Sequence, residues 1–405
     1  MLENWKASLQ DLYNQMVEWR RDFHMNPELS FQEERTPKKI AEYLTSLGIE
    51  VKTGVGGRGV VGTIRGEKPG KTIALRADFD ALPIQDEKDV PYKSTVAGVM
   101  HACGHDGHTS TLMGVAKVLS ENREHLHGNV VLLHQHAEEL APGGAIAMVE
   151  DGCLEGVDVV FGTHLMSNAP YGVYAYRKGA MMAAGDAFVI KIQGKGGHGA
   201  QPHETVDAIA IGTQVVNQLQ HIVSRQINPL KPAVVSIGSF HAGAALNVIA
   251  DSAEIKGTVR TFDPEVRDHI EKEIKHIVEN VCSAFHASAE VNYQRGYPAV
   301  VNHEKETEVF INVMKQSVGE DQLVNIDPIM GSEDFGYFIQ NKPGMFFFTS
   351  AGNDEIGASY PHHHPRFDFD ERAMLMAGNA LLSITHHYLC EEQEKSEEKL
   401  LAEQA

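Results

Sequence analysis

The sequence predicts an α/β protein with a mainly parallel sheet, interrupted by an inserted, ferredoxin-like α+β domain. Two observations support this fold class. Apolar strands alternate with helical patterns in the first and last parts of the 405-residue chain, as in βαβ units. The middle part follows the order β-α-β-β-α-β, which is typical of the split-βαβ unit.

The first part of the chain carries the alternation most clearly. An opening helix is followed by a second one that Gly48 ends. The later elements are strands at 59–64 and 72–80, a helix from about Thr109 to Leu126, a strand at 129–137, a helix at 143–154 and a strand at 157–165. This alternation predicts a mainly parallel sheet with helices on both faces.

The middle part, residues 185–297, is predicted to be a separate domain inserted into the first one. Its predicted elements are a strand at 186–193, a helix at 205–226, strands at 233–240 and 245–262, a second helix, and a strand at 288–294. The second helix should begin at Asp263-Pro264, because Asp is a favoured N-cap and Pro is favoured in the first turn.

The alternation resumes after the insertion. Helices at 306–319 and 332–340, a strand at 345–352 and a last helix from Glu371 complete the prediction. Residues 1–184 and 298–390 are therefore predicted to form one domain, and residues 391–405 a charged tail to which we assign no chemistry.

Composition excludes several classes of function. The formal net charge is −20 and the basic residues do not cluster, so nucleic acid and anionic membrane surfaces are not expected partners. No stretch approaches the ~18 apolar residues of a membrane span. Four scattered cysteines lack the density of a secreted disulfide framework and predict a cytoplasmic location. The 22 histidines, in contrast, need a chemical explanation.

Polar side chains follow four of the predicted strands, and a fifth polar cluster precedes a helix. The strand-end groups are Asp78 with Asp80, Glu138 with Glu139, His164, and His362-His363-His364. Because ligands bind beyond the carboxyl ends of strands in open α/β sheets, these groups should converge on one crevice.

The fifth cluster, residues 100–110, contains Cys103 and His105 separated by a glycine. Sulfur and imidazole donors beside carboxylates suit zinc or a similar divalent ion. A buried cysteine beside histidines that cap a helix is the alternative interpretation. Convergence with the four strand-end groups favours the metal.

Glu138 and Glu139 follow a strand that should be buried. Adjacent side chains point in different directions, so one carboxylate can bind a metal while the other faces a bound water. A solvent-exposed pair at a strand end is the alternative. His164 alone is more often a core histidine than a ligand, and His198 alone would be an ordinary loop histidine.

The motifs together resemble one family. They are RADFDALPI (76–84), MHACGHDGHT (100–109), HAEE (136–139), GTHL (162–165), GGHGAQPH (196–203), LNVIAD (246–251), GSEDFG (331–336) and HHHPRFDFDE (362–371). In this order they are similar to the amidohydrolase branch of the aminoacylase and carboxypeptidase family of two-metal peptidases. That branch includes hippurate hydrolases, N-acyl-amino-acid deacylases and auxin-conjugate hydrolases.

The resemblance implies a metal-binding catalytic domain and an inserted lid and dimerisation domain. It implies metal contacts from Cys103, His105, Glu139, His164 and His363, of which His363 matches the family position two residues before the proline. It implies that Glu138 is the general base and that Asp78 orients a ligand. It also implies that His198 polarises the scissile carbonyl in a partner subunit, and that Asn247 and Arg260 bind the substrate carboxylate.

The resemblance therefore implies metal-dependent hydrolysis of the amide bond in N-acetyl or N-aroyl amino acids. The expected cofactors are two divalent ions per subunit, zinc or manganese, with cobalt or nickel as alternatives. The expected assembly is a homodimer or higher homo-oligomer through the lid. A metallo-dipeptidase or carboxypeptidase is the alternative activity, and a non-catalytic metal-binding protein is the alternative from another class.

Overall fold

The structure is a computed structural model that describes residues 1–391. Residues 392–405, which hold nearly all of the predicted charged tail, lie outside the described residues. Among the described helices, none is both long enough and apolar enough to cross a membrane.

Helices and strands alternate along the described chain. The α-helices are α1 (Leu2–Asp11), α2 (Tyr13–Met25), α3 (Arg35–Ser46), α4 (His105–Ser120), α5 (Gly144–Glu150), α6 (Ala208–His221), α7 (Pro264–Ala284), α8 (Glu304–Val318), α9 (Gly336–Asn341) and α10 (Ala373–His386). The strands are β1 (Glu50–Val55), β2 (Gly59–Arg65), β3 (Lys68–Asp78), β4 (His127–Gln135), β5 (Val159–Pro170), β6 (Tyr174–Tyr176), β7 (Gly179–Met182), β8 (Ala184–Gln193), β9 (Gly197–His198), β10 (Ala233–Ala242), β11 (Val248–Ile249), β12 (Ser252–Thr261), β13 (Ser288–Arg295), β14 (Val300–Asn302), β15 (Leu323–Asn325) and β16 (Gly344–Gly352).

The chain divides into two compact units. The smaller unit comprises Met182–Val300 and Pro328–Glu333, and the larger unit comprises the other described residues. The sequence places the inserted domain at 185–297, three residues inside each of these limits. It gives no sign of the returning segment 328–333, where Ala183 N donates to the carbonyl oxygens of Ile329 and Gly331, at 3.1 and 2.9 Å. Backbone hydrogen bonds between segments so distant in sequence leave no local pattern.

The larger unit is built on an eight-stranded sheet in the order β1-β2-β4-β3-β5-β16-β6-β15. Its four central strands, β4, β3, β5 and β16, run parallel to one another. The mainly parallel sheet is therefore confirmed, with antiparallel pairing confined to β1 and β2 on one side and β6 on the other. Leu75, Leu132 and Phe161 on the central strands are fully buried, as expected for a sheet covered on both faces.

Most predicted elements differ from the observed ones by a few residues at their ends, and two of the differences have a clear structural cause. Helix α4 begins at His105 rather than near Thr109, because Gly104 takes a left-handed φ of 97° and turns the chain into the helix immediately before His105. The single strand predicted at 245–262 is wrong. The chain forms β11 and β12 instead, and Asp251 between them accepts a hydrogen bond from Gly196 N at 2.9 Å.

The smaller unit has a four-stranded antiparallel sheet in the order β10-β12-β8-β13. Helices α6 and α7 share one apolar core with this sheet. The Asp263 side chain accepts hydrogen bonds from Glu265 N and Val266 N, with Pro264 in the first turn, so the predicted start of α7 is confirmed. The order β-α-β-β-α-β is confirmed as well, with the short β9 and β11 added.

A buried ion cluster ties α2 to the first turn of α4 in the larger unit. The Arg20 guanidinium contacts Asp106 Oδ2 at 2.9 Å, Asp368 Oδ1 at 2.6 Å and Glu371 Oε1 at 3.1 Å. Burial opposes ionisation of Asp106, but Arg20 and His24 outweigh it and hold the pKa of Asp106 well below its usual range. This cluster fixes the helix turn that begins at His105.

Candidate active site

The carboxyl ends of the four central strands bring the predicted groups together in the larger unit. Asp78 is the last residue of β3, and the acidic pair follows β4. His164 lies on β5 opposite Phe348 of β16. The tandem histidines come after β16, and His105 opens α4 at the same edge, so the convergence expected from strand order is observed.

His105 has one ring nitrogen held and the other open. Nδ1 lies 3.0 Å from Asp80 Oδ1, and because a carboxylate only accepts, Nδ1 donates. In the neutral ring, Nε2 therefore carries a lone pair that a proton or a metal ion can take. This atom is buried without a hydrogen-bond partner among the described residues, and lies 3.7 Å from Asp78 Oδ2, 3.9 Å from Glu138 Oε2 and 3.8 Å from Glu139 Oε1. A carboxylate-held imidazole with an open second nitrogen is how proteins present histidine to a metal.

The electrostatic environment of His105 favours a positive charge at Nε2. Burial alone would lower its pKa, but Asp78, Asp80 and Glu139 outweigh burial and raise the pKa to about 10. A proton or a metal ion at Nε2 is therefore strongly stabilised by the surrounding carboxylates.

Cys103 and His164 form the sulfur side of the site. Cys103 Sγ lies 3.4 Å from His164 Nε2. His164 Nδ1 donates to the Leu165 carbonyl at 2.9 Å, so its Nε2 also carries a lone pair. Burial, with His108 and His362 adding to it, holds the pKa of His164 well below its usual range and keeps the ring neutral. Burial and the acidic pair raise the pKa of the Cys103 thiol, so a thiolate here needs a cation beside it.

Two groups of potential ligand atoms share Cys103. In one, Cys103, His105 and Glu139 offer atoms within 4.8 Å of one another, and in the other Cys103 is joined by His164 and His362. Sulfur, imidazole and carboxylate donors fit zinc and similar first-row divalent ions. The buried Nε2 of His105, which has no hydrogen-bond partner among the described residues, supports the same conclusion. The residues present therefore fit a divalent metal.

The three tandem histidines take different positions. His362 Nδ1 lies 3.6 Å from Cys103 Sγ, whereas His363 Nε2 lies 3.3 Å from Glu139 Oε1. His363 adopts a left-handed φ of 64°, which turns successive side chains into different directions. His364 stacks on Tyr360 instead. His363, the predicted ligand, thus lies beside the predicted ligand Glu139, and His362 is a further candidate.

Asp78 is held by Arg76 and His108. Arg76 Nη1 lies 2.7 Å from Asp78 Oδ2, and His108 Nδ1 lies 2.6 Å from Asp78 Oδ1. His108 Nε2 accepts from Leu165 N at 2.9 Å, so Nδ1 is the donor to Asp78. The carboxylate on Nδ1 of His105 is Asp80. Asp80 therefore orients His105, whereas Asp78 contacts His108, and the ligand-orienting role of Asp78 stays a prediction.

The remaining predicted residues lie in the smaller unit. His198 is exposed on β9, where Nδ1 accepts from Ala200 N at 3.1 Å. Asn247 is next to it, since its carbonyl accepts from Gly199 N at 2.8 Å. Arg260 donates to Thr258 Oγ1 and to the Val259 carbonyl near the far end of β12. The structure brings His198 and Asn247 together, but Arg260 is separated from them by most of a ten-residue strand.

The family model described as peptidase family M20/M25/M40 matches residues 74–386. The chain belongs to this family. The match includes both acidic residues, the Cys103-Gly104-His105 turn and the tandem histidines, so the converging groups lie within the segment that defines the family.

Three curated relatives cover most of the chain. YhaA of Bacillus subtilis (strain 168) is 57% identical over 383 residues, which is 94% of this chain and 97% of the relative. "Thermostable carboxypeptidase 2" of Saccharolobus solfataricus is 44% identical over 389 residues, 95% of this chain and 98% of the relative. "N-acyl-L-amino acid amidohydrolase" of Geobacillus stearothermophilus is 48% identical over 303 residues, 75% of this chain and 82% of the relative.

A solved structure of this family, Bacillus subtilis YXEP, is described as a dinuclear metal-binding peptidase. It is 35% identical and superposes with a TM-score of 0.79, covering 93% of this chain and 98% of that one. Together with the ligand set described above, these comparisons show that the M20 family protein is a metal-dependent amidohydrolase that acts on small molecules. The alternative of a non-catalytic metal-binding protein is set aside.

Sequence reasoning missed two groups at the site. Asp80 was seen only as a strand-end acid, although it orients His105 and accepts from Glu139 N at 2.9 Å. His108 was given no definite role, although it links Asp78 to the Leu165 backbone. The sequence signal for both was their place in the motifs, since Asp80 is two residues from Asp78 and His108 is three residues from His105.

Proposed function

We propose that this M20 family amidohydrolase hydrolyses N-acetyl or N-aroyl amino acids and releases a carboxylate and a free amino acid. The observation that carries the proposal is the acidic pair at the end of β4, which faces the open Nε2 of His105 with one carboxylate oxygen from each residue. One carboxylate can serve a metal while the other handles a proton. The relative described as an N-acyl-L-amino acid amidohydrolase supports the substrate class.

The metal contacts in this proposal come from Cys103, His105, Glu139, His164 and His363. Two divalent ions per subunit, zinc or manganese, with cobalt or nickel as alternatives, match this mixed donor set. When bound, they supply Lewis acidity, which lowers the pKa of water and polarises a carbonyl. Asp80 and Asp78 keep the donor groups oriented through their contacts with His105 and His108.

Glu138 is the general base in the proposal. Its carboxylate takes a proton from the attacking water and returns it to the leaving amine nitrogen, which makes the amine a neutral leaving group. Glu138 is buried, so the proton is exchanged in a poorly hydrated environment where electrostatic effects are strong.

The smaller unit supplies substrate contacts in the proposal. His198 donates to the scissile carbonyl as negative charge develops on its oxygen, acting from a partner subunit. Asn247 and Arg260 bind the substrate carboxylate, which the protein's own charge of −20 would otherwise repel. The smaller unit acts as lid and as homodimer surface. Light scattering tests this assembly, because a monomer in solution removes the trans role of His198.

A substrate comparison tests the reaction. The metal-loaded protein should release free amino acid from N-acetyl-amino acids and from hippurate with kcat/KM at least about 10-fold above that for dipeptides of the same C-terminal residue. The physical reason is that the dipeptide amine is protonated, and its ammonium group is costly to desolvate at the position where an N-acyl substrate presents an uncharged group. The measurement is initial rates of amino-acid release, with matched side chains in both substrate sets.

Preferred cleavage of the dipeptides would contradict this substrate class. It would support the dipeptidase or carboxypeptidase activity instead, which the relative described as a thermostable carboxypeptidase favours.

A further inference from the structure

We infer that Glu33 is a positioning residue for the acidic pair: its carboxyl group holds the backbone of Ala137 and so aims Glu138 and Glu139. This inference rests on the roles proposed above for the pair. Glu33 is fully buried, and its Oε1 accepts a hydrogen bond from Ala137 N at 2.8 Å. The side chain reaches across 104 residues of sequence to the backbone N–H of the residue that immediately precedes the proposed base.

The backbone at Ala137 needs such support. Ala137 has a φ of 51°, in the left-handed region that side chains other than glycine rarely adopt. It is also completely buried. Non-glycine residues persist in this conformation only where the surroundings enforce it, and they concentrate at functional sites. The left-handed turn at Ala137 sets the directions in which the next two side chains leave the backbone.

A second carboxylate, that of Asp80, binds the backbone of the same turn at residues 137–139. Asp80 Oδ2 accepts from Glu139 N at 2.9 Å, while Asp80 Oδ1 binds His105. The backbone N–H groups on both sides of Glu138 are therefore tied to buried acids, Glu33 before it and Asp80 after it. A mechanism that needs two adjacent carboxylates in distinct directions gains from this arrangement, because the turn is fixed before substrate binds.

The loop that carries Glu33 is itself rigid. The Glu28 carboxylate accepts from three backbone N–H groups at the start of α3, at 2.8 to 2.9 Å. The Glu28 carbonyl accepts from Ala81 N at 2.9 Å, next to Asp80. Arg58 Nη1 donates to the Glu33 carbonyl at 2.6 Å. Glu33 is thus anchored from both sides and can impose its position on Ala137.

The second oxygen of Glu33 distinguishes this residue from an ordinary surface acid. Oε2 is buried and accepts no hydrogen bond from the described residues. Burial, assisted by Asp80, raises the pKa of Glu33 to about 7. An amide at this position keeps the acceptor oxygen for Ala137 and needs no ionisation, so glutamine is the conservative substitute.

The test compares Glu33→Gln with Glu33→Asp in the metal-saturated enzyme. Gln has the same side-chain length as Glu but carries no ionisable group. Asp keeps the carboxyl group, but its side chain is one methylene shorter and does not reach Ala137 N. For an N-acetyl-amino acid, Glu33→Asp should lower kcat about 10- to 100-fold with KM within about threefold, the size expected for a lost outer contact. Glu33→Gln should stay within about threefold of wild type in both constants. Glu33→Leu, which has no acceptor, provides a second loss variant if Glu33→Asp does not fold.

Glu138→Gln is measured beside them to separate the two claims. If Glu138→Gln is inactive while Glu33→Asp and Glu33→Leu keep wild-type kcat, the positioning role is refuted and the proposed base stands. If Glu33→Gln loses as much kcat as Glu33→Asp, the contact with Ala137 is not what matters and the inference fails as well. If Glu138→Gln is fully active, Glu138 is not the general base, and both the proposed role of the acidic pair and the inference that rests on it are wrong.

Discussion

Glu138→Gln should lower kcat for an N-acetyl-amino acid about 10³-fold, the middle of the range for loss of a general base. Gln has nearly the same shape as Glu but cannot accept a proton at neutral pH. Cys103, His105, Glu139 and His164 are untouched, so metal content per chain should equal that of wild type. The measurements are steady-state kinetics and elemental analysis of the same preparation.

An exposed acid provides the matched control for this variant. Glu150→Gln on α5 makes the same chemical change away from the site and should leave both kcat and metal content unchanged. Wild-type turnover in Glu138→Gln would show that the proton is handled by another group. If the variant lost metal together with activity, Glu138 would be a metal ligand and not the general base.

His164→Ala should lower metal content per chain and reduce turnover to near the background rate. His164 presents a neutral Nε2 lone pair 3.4 Å from Cys103 Sγ, and the substitution removes that donor from the sulfur side of the site. A site that loses one protein donor binds its ion more weakly. Loss of a group that only hydrogen-bonds to a ligand already lowers metal affinity or activity about 10- to 100-fold. We therefore expect a loss of at least about 100-fold in metal affinity, measured by competition with a chromogenic chelator.

An exposed histidine separates the effect of this donor from that of losing any imidazole. His125 is exposed and precedes β4, at the opposite end of that strand from the acidic pair, so His125→Ala should retain both metal and activity. Full metal content in His164→Ala would mean that other side chains, such as His362, complete the coordination without it. The proposed ligand set would then need to change.

The convergence of the site could be predicted from sequence because it depends on strand order. Apolar runs ending in Asp78, in the acidic pair and in His164 are local patterns, and parallel pairing of β3, β4, β5 and β16 then brings their ends to one edge. The ferredoxin-like unit was predictable for the same reason, since its helices and most of its strands carry clear periodicity and Asp263-Pro264 marks a helix start.

The contacts that orient the site could not be predicted in this way. Asp80 on His105 and Glu33 on Ala137 join residues 25 and 104 positions apart, and a carboxylate's choice of partner depends on the packed backbone. The division of labour among the tandem histidines depends on the left-handed φ of His363, which no composition pattern reveals. The short strands β1, β6 and β15, which lie at or next to the edges of the sheet, are partly exposed and lack a distinctive apolar run, so the sequence does not predict them.

We propose that this M20 family protein hydrolyses N-acyl amino acids with a metal held at the Cys103 and His105 site. The most direct measurement is amino-acid release from an N-acetyl substrate before chelation, after complete removal of metal, and after a divalent ion is added back. Turnover should fall to background in the metal-free protein and return as metal binds. Wild-type turnover by protein shown to be free of metal would contradict the account.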